Sequence, residues 1–215
     1  HNYDLHPHWN KTLLISNRSA SCSGDIAGLT LPYLRSVEQG ALVERLMGRD
    51  GTDTSSDIYR HPVIELRITP ENFAIELIMS PLSWWDQRNI IGKLSVARHR
   101  ETLRGIIQHI DGDYRFGFWD GTHLSDMHLT SRQLLRGNIL DEWMSTFSDG
   151  QDWLRVGVWY EPDDPALADD RILSEVVGRV VALEKLYTFM LWTSNNNFQT
   201  FYRKATGFGG RDARL

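Results

Sequence analysis

The segment Asp120-Gly121-Thr122-His123-Leu124-Ser125-Asp126-Met127-His128 gathers two histidines and two carboxylates within nine residues. Neutral imidazoles and carboxylates are the donors that zinc, manganese and iron sites use, so Asp120, His123, Asp126 and His128 are the candidate ligands of a divalent metal. A metal-dependent hydrolase is the chemistry such a set would serve. The spacing sets a condition on it: on an extended segment His123 and His128 point to opposite faces, because their separation is odd. They converge only on a loop or a tight turn, and surface or capping roles compete with ligation.

Four other features bear on chemistry. Asp111-Gly112-Asp113 resembles the Asp-x-Asp pairs that chelate magnesium, although Asp-Gly at a helix-to-strand junction is also ordinary turn chemistry. Glu65-Leu66-Arg67 after Asp57 departs from the acid-x-lysine pattern of metal-dependent nucleases by carrying arginine in the basic position. Gly207-Phe208-Gly209-Gly210-Arg211 lacks the Lys-Ser/Thr of a phosphate loop, and Cys22 has no sequence-visible activator.

Trp84-Trp85-Asp86-Gln87-Arg88 points to recognition instead. Adjacent helical residues lie about 100° apart, so the two indoles cannot sit equally deep in one core. One is then free to face a pocket or partner, with Arg88 a turn further on to meet an anion. Trp84, Trp85 and Arg88 are therefore the candidate ligand-binding residues, with simple anchoring of the helix as the competing role.

These residues must be positioned by elements that the hydrophobic pattern makes legible. Val63 to Ile68 and Phe73 to Met79 alternate apolar and charged residues around Thr69-Pro70-Glu71-Asn72, which predicts an antiparallel hairpin. Its charged positions, Glu65, Arg67 and Glu76, fall on one face, which is expected to be wet or to line a polar cleft. Ser83 is the expected N-cap of a helix over 84–110 whose two apolar stripes are offset near Arg98, so it bends there or is two helices. A strand follows over 114–119, then a short strand within 123–129, a helix over 130–147 and a strand over 153–160.

Residues 172–191 carry the broadest apolar stripe, at i, i+3, i+4 spacing, and burial along most of its length is expected. Near the start, 12–16 reads as a short strand, the chain to about residue 30 as a loop, and 32–47 as a helix. The order strand, Pro-containing turn, long helix occurs at 73–110 and again at 153–191, a pseudo-repeat of elements without convincing residue alignment.

The chain has 215 residues, eight of them tryptophan, and a net charge of −5. That balance argues against a dedicated nucleic-acid binder, which needs a concentrated basic surface. One cysteine excludes an internal disulfide framework. No apolar run reaches the roughly 18 residues of a membrane span and no charged-then-apolar leader is present, so a soluble, cytoplasmic protein is expected, while the start at His1 leaves a removed leader open.

The combined expectation is an α+β fold: a mainly antiparallel sheet of about five to six strands with long helices on one face. It comprises a single domain over 1–194 and a basic, Gly-containing tail over 195–215. The functional expectation is a non-catalytic module that uses an aromatic-rich surface for a small-molecule ligand or for homo-oligomer formation. The alternative is the hydrolase on Asp120, His123, Asp126 and His128.

Overall fold

The computed structural model describes residues 5–8, 13–16, 26–48, 58–118 and 128–198. In chain order the strands and helices are β1 (His6–Pro7), β2 (Leu13–Ser16), β3 (Ile26–Leu34), α1 (Val37–Leu46), β4 (Val63–Ile68), β5 (Phe73–Met79), α2 (Trp84–Leu94) and α3 (Ala97–Gln108). They continue with β6 (Arg115–Gly117), β7 (Leu129–Thr130), α4 (Ser131–Leu134), α5 (Ile139–Ser145), β8 (Leu154–Tyr160) and α6 (Ile172–Met190). The fold is α+β. Among the described residues every strand pairing is antiparallel, in the order β1-β3-β4-β5-β8-β6-β7, with β2 also pairing β3.

The sheet is therefore wider than the five to six strands expected. Seven lie on one continuous path, and the additional width comes from β3 and the two-residue β1. The stretch that contains Gly28 and Pro32 reads as a loop followed by a helix start, yet it forms a nine-residue strand. Pro32 needs no ladder donor there, and its carbonyl still accepts from His8 N at 3.1 Å. The helix begins only at Val37, capped by Ser36 Oγ, which accepts from Gln39 N at 3.3 Å.

The 63–79 hairpin forms as its alternation predicts, with Glu65 opposite Glu76 and Leu66 opposite Ile75. The helical pattern over 84–110 resolves into α2 and α3, broken at Ser95 and Val96. The single helix expected over 130–147 is two short ones, because Gly137 takes a positive φ of 52° between them.

Two faces of the sheet have opposite chemistry. On one, Ile64, Ile75, Leu77, Met79, Val156 and Val158 pack with Leu183, Leu186 and Tyr187 of α6 and with Ile90, Leu103 and Ile107 of α2 and α3. This is the main core. The other face carries Glu65, Arg67, Glu76 and Arg155. Alternation leaves the face of Glu65, Arg67 and Glu76 either wet or lining a polar cleft; it is not wet, because all four side chains are buried, at 2% exposure or less.

Among the described residues no helix is long and apolar enough to cross a membrane. The inner side of α6 is buried as its pattern requires, but its outer side is not: Leu173 is 74%, Val177 53% and Val181 58% exposed. The expectation that this stripe is buried along most of its length is thereby corrected. The stripe is wider than the sheet beneath it can cover.

Candidate functional site

The buried charges on the sheet come from four strand positions that register brings side by side. Glu65 of β4 lies opposite Glu76 of β5, and Glu76 lies opposite Gly157 of β8. Gly157 is required there: a Cβ would stand 2.8 Å from Glu76 Cγ and 2.5 Å from the Ile75 carbonyl oxygen. Into this space Arg67 donates to Glu65 at 3.1 Å and meets Glu76 at 2.5 Å. Arg155 donates to Glu76 at 2.8 Å, and the Tyr59 hydroxyl donates to Glu65 at 2.8 Å. Burial raises the Glu65 carboxyl above its ordinary range, against the opposing pull of Arg67. The same burial and the Glu65 charge push the Tyr59 phenol up, so it stays a donor. Two acids and two guanidiniums thus pair their charges with one another, which is the arrangement a buried ionic network needs.

A second buried pair fixes the start of α2. Asp86 Oδ1 accepts from Arg35 Nη2 and from the Trp192 backbone N–H at 2.7 Å, while Arg35 also donates to the Trp192 carbonyl at 3.3 Å. One turn on, Asn89 donates to the Met190 carbonyl at 3.2 Å and accepts from Phe198 N at 3.0 Å. Lys93 donates to the Phe189 carbonyl and, at 2.7 Å, to Asn196 Oδ1. Positions 86, 89 and 93 share one side of α2 by helical spacing, and together they clamp it to the end of α6.

Burial lowers the Lys93 ammonium from its ordinary value to about 8, partly opposed by the Asp86 charge. A lysine with a depressed folded-state pKa binds fewer protons folded than unfolded above pH 8. Stability should therefore rise with pH between about 8 and 10.4, by on the order of 2 kcal/mol. Urea unfolding of the native chain and a Lys93→Met variant across that window checks this: the gain is expected in the former and absent in the latter.

With its inner side so clamped, α2 presents the opposite side outward. Trp84 and Trp85 are both half-buried and meet edge to face at 5.4 Å between ring centroids. Trp85 makes a like contact with Trp192 at 6.1 Å. Trp85 Nε1 has no hydrogen-bond partner among the described residues. Arg88, 63% exposed, lies 6.0 Å from the Trp84 ring and 3.6 Å from Asp149. Trp84, Arg88, Ile91 and Ser95 follow at spacings of about one turn, so they form one stripe roughly 16 Å long.

The far end of that stripe opens into a groove of about 520 Å³ between α2, α3 and α5. Ile91, Leu94, Leu103, Leu140 and Met144 give it apolar walls. Arg100 stands at its rim, donating to the Leu94 carbonyl at 2.8 Å and 4.0 Å from Asp141. Arg104 takes Asp141 more closely, at 3.0 Å. The sequence singles out the tryptophans and Arg88 but gives no sign of the groove, whose walls come from three separated helices. No local signal marks it.

Of the four candidate metal ligands, Asp120, His123 and Asp126 lie outside the described residues. His128 is buried beside Gly117, where a Cβ would come within 2.5 Å of its ring, and meets Trp159 edge to face at 5.6 Å. Among the described residues no group of three or more His, Cys, Asp or Glu side chains is gathered as a metal site would need. The Asp-x-Asp pair has another occupation: Asp113 takes the Arg179 guanidinium at 2.9 and 2.7 Å, and Asp111 stands 3.4 Å from it. Asp111 and Asp113 anchor α6.

A scan of the chain against protein-family models found no match, and a search of curated proteins found none either.

Proposed function

We propose that this chain is a non-catalytic binding module whose α2 face takes a small amphiphilic ligand with an anionic group. The observation that carries the reading is the continuity of the tryptophan and arginine stripe with an apolar groove large enough to accept an aliphatic chain. Ligand sites are concave and mostly apolar, with a few polar groups that fix orientation. Here the walls are aliphatic, and the guanidiniums of Arg88 and Arg100 supply the polar contact. The buried acids of the sheet support a structural assignment instead, since their charges are spent on Arg67 and Arg155.

Dodecanoate, dodecanol and dodecyltrimethylammonium separate the contributions of chain and charge. Dodecanoate is expected to raise the melting temperature and to change tryptophan fluorescence, with the alcohol weaker and the cation weakest. Arg88→Glu should weaken dodecanoate binding about tenfold, the equivalent of about 1.4 kcal/mol. Ile91→Asp, at a partly exposed groove wall, should abolish it. Binding indifferent to headgroup charge and to both substitutions would overturn the reading. So would near-stoichiometric metal lost in a His123→Ala, His128→Ala double variant, which would put the metal-dependent hydrolase in its place.

A further inference from the structure

The outer side of α6 is an apolar stripe that stands exposed among the described residues. Leu173, Val177 and Val181 recur every four residues and are each more than half exposed. Ser174 and Gly178 lie beside them, and a Cβ added at Gly178 would meet nothing within 4 Å. Contiguous exposed apolar surface of this kind, rimmed by charges, marks an interaction face. The rim charges say which partner fits. Asp170 and Arg171 stand at the N-terminal end of the stripe, with side chains 82% and 62% exposed, and only a long contact of 3.9 Å between them. Glu184 and exposed Lys185 stand at the other end.

The order acid-base at one end and acid-base at the other is self-complementary only when two copies run antiparallel. We propose that α6 pairs with α6 of a second copy about a two-fold axis passing between Val177 and Gly178. That axis sets Val177 over Gly178 and Ser174 against Val181, a large side chain facing a small one at each level. It also sets Asp170 against Lys185 and Arg171 against Glu184, once on each side of the axis. A parallel pairing would place like charges together at both ends. The contact is isologous, as a two-fold interface must be, and closes at the dimer. It goes beyond the ligand reading, because it uses neither the tryptophans nor the groove.

A single helix face is small beside the interfaces of permanent dimers, so the association is concentration-dependent, with a dissociation constant on the order of 10 µM. Sedimentation velocity of the full chain at graded concentrations should show a monomer and dimer equilibrium. Val177→Asp, at an exposed position that leaves the fold intact by circular dichroism, should leave monomer only. Asp170→Lys and Lys185→Asp should each weaken self-association at least tenfold. Mixed one to one, these two variants should form a heterodimer, because each then faces its opposite charge. Monomer at every concentration would overturn the proposal. So would a dimer that survives Val177→Asp, species that grow beyond the dimer, or a mixture no tighter than its components.

Discussion

An Arg67→Met variant is expected to lose about 3–5 kcal/mol of folding stability, the cost of removing one partner from a buried ionic network. Arg67 is 1% exposed and stands between Glu65 and Glu76, both fully buried. Methionine keeps much of the volume but leaves Arg155 as the guanidinium facing two carboxylates, with the neutral Tyr59 hydroxyl on Glu65. The loss should also depend on pH in a definite sense. Glu65 already has its carboxyl raised by burial, and Arg67 is the largest force opposing that rise. Without the guanidinium the folded-state value climbs further above the unfolded one, so the folded variant binds the additional proton. Stability of the variant therefore falls as pH rises from the unfolded carboxylate value through the folded one. Its deficit against the native chain is expected to narrow on acidification toward the unfolded carboxylate range, as read by urea midpoints at each pH. A deficit under about 1 kcal/mol, or one that widens on acidification, would mean that the network is not the buried, charge-paired group described.

That network also shows where reading the sequence stops. Alternation in Val63-Ile64-Glu65-Leu66-Arg67-Ile68 fixes which residues share a face, and the hairpin register follows it. Alternation does not say whether the polar face meets water or another polar face, because the answer depends on side chains from β8 and from the turn holding Tyr59. The same limit holds for α6. Its apolar positions announce a helix packed on a sheet, and Leu183, Leu186 and Tyr187 are buried accordingly. The valines that exceed what the sheet covers look identical in sequence to those it does cover. β3 was hidden for a different reason: Gly28 and Pro32 are poor strand formers by themselves, and only pairing on both sides with β2 and β4 makes that stretch extended. For the candidate site, the doubled tryptophan and Arg88 were visible as a local pattern. Trp192 and the groove walls were not, since they are brought together by tertiary packing alone.

Asp86→Ala is expected to cost a similar 3–5 kcal/mol, and it joins stability to the candidate site. Asp86 is fully buried, and its Oδ1 takes both Arg35 and the Trp192 N–H. Removing it strands a guanidinium that is 1% exposed and frees the backbone donor just past the end of α6. Trp192 is the third member of the aromatic cluster, so its release should loosen Trp85 as well. Near-ultraviolet circular dichroism should weaken in the tryptophan region, and dodecanoate binding should fall although no groove wall has been touched. An Arg35→Met, Asp86→Leu double variant separates the two effects. With both charges gone, neither member of the Arg35–Asp86 pair is left facing an empty partner, and much of the lost stability should return, less the cost to buried Lys93 of losing the Asp86 charge. The Trp192 N–H still lacks its acceptor, so the aromatic signal and ligand affinity should stay reduced. Recovery of affinity together with stability would show that Asp86 serves the α2 face only by keeping the chain folded, whereas stability without affinity assigns it the positioning of Trp192.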